Sequence, residues 1–175
     1  RALGLFSFAS DQSFVNMSRS FDSPLAVGQT FSLDLAVNFR SGLKGMHLTD
    51  AAATRLFSFT VGDLGSGDDY TVENAATGNG SIGNAYSNVT AFSLAFTQTS
   101  AAGGTWSITR SGGIADLDTG TYTGAPERFE VFHFNGPGGS EQDLFVNNFM
   151  IVPEPVFGLF SLTGWLLLIG RRRRV

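Results

Sequence analysis

Across residues 1–151, apolar side chains recur with a period of two. Phe31, Leu33, Leu35, Val37 and Phe39 alternate with Ser32, Asp34, Ala36 and Asn38, the pattern of a strand buried on one face only. Phe57, Phe59 and Val61 repeat it, as do Phe92, Leu94 and Phe96, then Trp106 and Ile108. Leu3 and Leu5, with the offset pair Phe6 and Phe8, give a first strand, and Phe145 to Ile151 a last one. Phe132 and Phe134 carry a strand in the register of Glu130, which assigns His133 to the opposite, polar face. Turn residues cluster between these runs, at Asp22-Ser23-Pro24, Gly62 to Asp69, Gly78-Asn79-Gly80, Ala102-Gly103-Gly104, Ser111-Gly112-Gly113 and Asn135 to Gly139. No amphipathic helix precedes residue 156, and Ala51 to Leu56 has room for one helical turn at most. The sequence therefore predicts an all-β domain over residues 1–151, an antiparallel jelly-roll-like sandwich of roughly ten strands.

Composition limits the chemistry. The chain has no Cys, which excludes disulfides, Cys-ligated metal centres and a thiol nucleophile. Its 17 Phe supply core area in place of cross-links. The net charge of −4 averages two different objects. Residues 1–152 hold seven Lys/Arg against fourteen Asp/Glu, a net of −7; residues 153–175 hold four Arg against one Glu, a net of +3. An acidic body lacks the basic face of a nucleic-acid binder, so no nucleic-acid partner is expected.

No catalytic set emerges. His47 and His133 lie far apart, no G-x-S-x-G elbow is present, and no glycine-rich phosphate loop joins a strand to a helix. Glu127 and Glu130 are three apart and so face opposite ways on a strand, which does not suit the convergent carboxyl pair of a glycosidase. Asp116 and Asp118 share a face but read as a loop beside Gly112-Gly113 and Gly120. The expectation is a protein that is not an enzyme and has no cofactor, with calcium as the one candidate. Asp63, Asp68 and Asp69 surround a glycine-rich turn, and Asp116 and Asp118 form a second acidic string; both offer oxygens to a hard cation, and both equally suit polar turns. Candidate sugar-stacking platforms are Tyr70, Tyr86, Trp106 and Tyr122, three of them near turns.

The last 24 residues carry a different signal. Val152-Pro153-Glu154-Pro155 cannot be helical. Val156 to Gly170 is a fifteen-residue uncharged run, closed by Arg171, Arg172, Arg173 and Arg174. As a helix it spans about 22 Å against about 30 Å of hydrocarbon, and snorkelling Arg side chains or local thinning make up the difference. Residues 156–170 are expected to form one transmembrane helix, with the Arg cluster cytoplasmic and the acidic body across the membrane.

This three-part order resembles the PEP-CTERM sorting signal of Gram-negative bacteria that make exopolysaccharide. The resemblance covers residues 152–175. It implies that Pro153, Glu154 and Pro155 are the recognition element for an exosortase and that Arg171 to Arg174 stop transfer. It implies anchoring in the inner membrane until processing, then the cell surface or extracellular matrix, with exopolysaccharide as a partner. It further implies a secretory signal peptide; the alternating Leu3 to Ala9 is no apolar signal core, so that signal is expected upstream of Arg1. The body also resembles jelly-roll domains of the concanavalin-A-like lectin and glucanase type, which end in a strand like Leu144 to Ile151. The resulting expectation is an exported, non-enzymatic surface or matrix protein. A glycan-binding or glycan-cleaving concanavalin-A-like domain and a purely structural protein are the alternatives.

Overall fold

The computed structural model describes residues 2–6, 14–62, 70–74, 78–83, 87–134 and 144–153. They form two antiparallel six-stranded sheets packed face to face. The first sheet contains β1 (Leu3–Leu5), β3 (Thr30–Val37), β8 (Ala91–Ser100), β9 (Gly103–Ser111), β10 (Asp116–Thr123) and β12 (Leu144–Val152), in the order β1-β12-β3-β8-β9-β10. The second contains β2 (Phe14–Ser20), β4 (Leu43–Thr49), β5 (Arg55–Gly62), β6 (Tyr70–Asn74), β7 (Gly78–Gly83) and β11 (Arg128–Phe134), in the order β2-β11-β4-β5-β6-β7. The all-β sandwich expected from the alternation is the observed architecture.

The core lies between the sheets, where the alternation puts it. Phe31, Leu33, Leu35 and Val37 of β3 face Met46 and Leu48 of β4 and Phe57, Phe59 and Val61 of β5, all buried. Aromatic rings fill much of the gap. Phe57 meets Phe96 edge-on at 4.9 Å, and Phe59 lies 5.0 Å from Phe92. Such contacts add about 0.5–1.5 kcal/mol each beyond burial.

Several sequence expectations change. Phe39 lies beyond the end of β3 and is exposed. Residues 50–54 form the β4–β5 hairpin instead of a helical turn. Asp50 accepts from the Thr54 amide at 2.8 Å, and Ala53 has a positive φ of 61°. On β11 the expected faces are reversed. Phe129, Val131 and His133 point into the core, while Glu130, Phe132 and Phe134 point outward. His133 is fully buried, paired in register with the equally buried Lys44. Lys44 donates through Nζ to the carbonyls of Phe39 and Ser41 at 2.8 and 2.6 Å.

The expected transmembrane helix over residues 156–170 lies outside the described residues. Among the described residues, no helix is long and apolar enough to cross a membrane. β12 runs to Val152, and Pro153 follows as exposed, non-strand chain.

Candidate functional site

Because strand pairing brings residues of adjacent strands into lateral rows, the register defines the outer face of the second sheet. One row runs Ser18, Glu130, His47, Ser58, Glu73 across β2, β11, β4, β5 and β6. A neighbouring row runs Asn16, Phe132, Gly45, Thr60, Thr71, and on the other side lies Ser20, Arg128, Thr49, Arg55. Phe14, Phe134 and Leu43 close the far end. Members of these rows on β11, β4, β5 and β6, together with Phe14, line an open groove of about 710 Å³.

The groove has an apolar end and a charged end. Phe14 is 53% exposed, its ring 6.3 Å from that of Phe134. In the middle, His47 lies flat on Phe132, the centroids 4.4 Å apart and the planes at 18°. His47 Nδ1 is 3.0 Å from the Ser58 hydroxyl. Burial, and secondarily the Arg55 charge, push the His47 pKa down to about 4, so the ring is neutral at pH 7. Asn16 donates to Glu130 Oε1 at 3.0 Å, and Arg55 Nη1 lies 3.5 Å from Glu73 Oε2.

Arg55 reaches this face because of a β-bulge. Phe57, Phe59 and Val61 point inward, and strict alternation would send Arg55 inward too. The register shifts between Leu48 and Thr49, so that Thr49 pairs with Arg55 and Leu56 is skipped. Leu56 tucks into the protein and Arg55 turns out, the re-aiming that bulges perform.

The residues singled out from sequence lie elsewhere. Tyr70, Trp106 and Tyr122 are 1%, 6% and 2% exposed, so no ring face is open to a sugar, and the stacking assignment is corrected for all three. Tyr70 packs edge-on against Phe92 at 5.0 Å. Trp106 lies 5.4 Å from Phe57 over Gly120, where any Cβ would come within 2.6 Å of the indole. Tyr122 donates to Gln98 Oε1 at 2.8 Å, and burial pushes its phenol well up.

Asp116 and Asp118 stand on strand β10, not in a loop. Both bind the buried Arg110 guanidinium, Asp118 at 3.2 Å and Asp116 more closely. Desolvation raises the Asp118 pKa, opposed by Arg110 and assisted by Asp116. Arg110 also donates to the Ile82 carbonyl of β7 at 3.1 Å and lies 5.4 Å above the Tyr70 ring. The pair thus anchors a cation of the protein's own that ties one sheet to the other. Among the described residues, no group of three or more acids or histidines could hold a metal ion. Asp63, Asp68, Asp69, Tyr86, Glu154, Pro155 and Arg171 to Arg174 lie outside the described residues.

No motif in the order of residues marks the groove residues Phe14, His47, Arg55, Glu73 and Arg128 as ligand-binding. A partial signal existed in the even spacing of Arg128, Glu130, Phe132 and Phe134, a mixed polar and aromatic face. A row across five strands requires the pairing.

No protein-family model and no curated protein matches the chain. Solved structures do. A tetrameric galectin from the ball sponge Cinachyrella sp. is similar at 13% identity and a TM-score of 0.52, over 78% of this chain and 100% of that one. The catalytic domain of a glycoside hydrolase family 131 protein from Coprinopsis cinerea is similar at 10% identity and a TM-score of 0.52, over 83% of this chain and 71% of that one. At these identities the likeness is one of fold: the chain has the sandwich architecture found in both.

Proposed function

We propose that this chain is an exported, non-enzymatic protein that binds glycan in the groove on the outer face of its second sheet. The observation that carries the reading is the groove's composition. An exposed aromatic end suits the apolar face of a sugar ring. Beside it, Glu130, His47 and Glu73 of one row present polar edges, with Ser58 buried behind the His47 ring, the pattern of a mostly preformed site with a few placed polar groups. The fold likeness to a galectin and to a glycoside hydrolase domain, both named for sugar ligands, is compatible with this reading without carrying it.

Binding is favoured over cleavage by one distance. Glu73 and Glu130 occupy the same row three strand steps apart, which separates their backbones by about 14 Å at about 4.8 Å per step. Retaining glycosidases need carboxyls about 5 Å apart, and inverting ones about 6.5–9.5 Å. Titration of oligosaccharides into wild type and Phe14→Ala, with reducing-end release followed in parallel, tests the reading. Saturable binding weakened in the variant, with no release, supports it; reducing ends released by wild type would overturn it.

The proposal for residues 152–175 is that they act as a PEP-CTERM-type sorting signal, read by an exosortase at Pro153, Glu154 and Pro155 and halted in the inner membrane by Arg171 to Arg174. The body would then reach exopolysaccharide at the cell surface or in the matrix. The support is the order of motif, apolar run and Arg cluster. Expression with and without the exosortase tests it: a lower C-terminal mass only when the enzyme is present is the expected result. An identical intact mass and membrane attachment in both strains would refute it.

A further inference from the structure

The charged end of the groove has a shape of its own. Arg128, Thr49 and Arg55 stand side by side on β11, β4 and β5, paired in register. Two strand steps put the two Arg backbones about 10 Å apart, within reach of one substituent for two long side chains. Thr49 Oγ1 lies between them, buried and without a hydrogen-bond partner. An unsatisfied buried hydroxyl costs about 1–3 kcal/mol and calls for an explanation.

The nearby carboxylates do not use up the positive charge. Glu130 is the carboxylate closest to Arg128 along β11, but Asn16, from the row on the far side, holds it at 3.0 Å. Arg128 has no ion-pair partner among the described residues and is exposed. Glu73 meets Arg55 only at 3.5 Å, with both side chains about half exposed. Such a pair contributes little and exchanges readily for a better anion.

We propose that the Arg128–Thr49–Arg55 row is a subsite for an anionic substituent on the glycan, a carboxylate or sulfate. The protein would therefore select acidic over neutral polysaccharide. The inference rests on the glycan-binding reading of the groove and adds the ligand's charge to it. A guanidinium binds a planar carboxylate through two parallel N–H donors, and Arg128 and Arg55 approach it from either side of Thr49. The apolar end, Phe14 and Phe134, takes the neighbouring uncharged ring face. Since the body carries a net −7 over residues 1–152, attraction must come from this local pair and not from the overall field.

The test is calorimetric titration of the full chain, held in a detergent without a sugar headgroup. The probes are an oligouronide, the same oligosaccharide with its carboxyls reduced to alcohols, and a sulfated oligosaccharide of equal length. The oligouronide is expected to bind at least tenfold more tightly than its reduced form, with the difference shrinking as salt rises. Arg128→Gln is expected to abolish that preference, so that the oligouronide binds no more tightly than its reduced form, at an unchanged melting temperature. Arg128→Lys is expected to restore part of it. Sulfated ligand binding as tightly as uronate also supports the subsite and identifies charge as the recognised property. Equal affinity for uronate and reduced forms, or a preference that survives Arg128→Gln, overturns the inference and leaves glycan binding standing. No binding of any probe overturns both.

Discussion

His47 lies flat on Phe132, ring centroids 4.4 Å apart and planes at 18°. The contact covers an outward-facing Phe almost completely, leaving it 6% exposed, and holds the imidazole edge at the Ser58 hydroxyl. His47→Ala removes the polar edge from the centre of the groove and uncovers apolar surface. Glycan affinity is expected to fall about tenfold or more, which corresponds to about 1.4 kcal/mol. Calorimetric titration of wild type and variant checks it.

Protonation of the histidines couples stability to pH. His133 sits in the core, where burial, then the nearby Lys44 charge, lower its pKa to about 4, against a weaker opposing effect of the Leu5 backbone. The unfolded value is 6.5. A group with a depressed folded-state pKa favours folding fully above its unfolded pKa, and the contribution is lost as pH falls. Stability attributable to His133 is therefore constant above about pH 7 and declines between about 6.5 and 4. It amounts to about 3 kcal/mol in all. His47 shifts the same way. Urea midpoints of wild type and His133→Leu at pH 7 and pH 4.5 measure it; the wild type should lose more on acidification than the variant.

Tyr122 is structural. Its hydroxyl donates to Gln98 Oε1, whose amide nitrogen in turn donates to the Ser100 and Gly124 carbonyls at 2.7 and 3.0 Å. Tyr122→Phe leaves that buried oxygen without its donor and is expected to cost about 1–3 kcal/mol. Glycan affinity should not change, because the groove lies on the other sheet. Thermal melts paired with titration separate the two effects.

Arg110 links the two sheets through Asp116, Asp118 and the Ile82 carbonyl. Arg110→Gln leaves two neighbouring carboxylates, one of them partly buried, without their counter-charge. Because Asp116 is about half exposed and Asp118 partly so, the cost is expected to be about 1–3 kcal/mol. The loss should be larger at pH 7 than at pH 4, because desolvation already raises the Asp118 pKa and removing Arg110 takes away the charge that opposed it. Denaturant midpoints at the two pH values test this.

The two-sheet architecture was legible because Phe31 to Val37 and Phe57 to Val61 state their buried face in the order of residues alone. β11 misled for a physical reason: both of its faces carry apolar side chains, so periodicity could not say which one faced the core. The core accepted His133 beside Lys44, while Phe132 and Phe134 went outward to build the groove. Type and nearness to turns mark Tyr70, Trp106 and Tyr122 as sugar platforms, yet Trp106 fits over Gly120 and Tyr122 over Gly104, inside the sandwich. Arg55 was invisible to any alternation rule, since a bulge moved it by one position.

The central claim is that the outer face of the second sheet binds glycan. A glycan array probed with the full chain and with Phe14→Ala is the decisive measurement. Wild type is expected to bind a defined set of oligosaccharides and the variant to lose that binding, at unchanged melting temperature. An array that stays blank, or identical binding by both proteins, would contradict it.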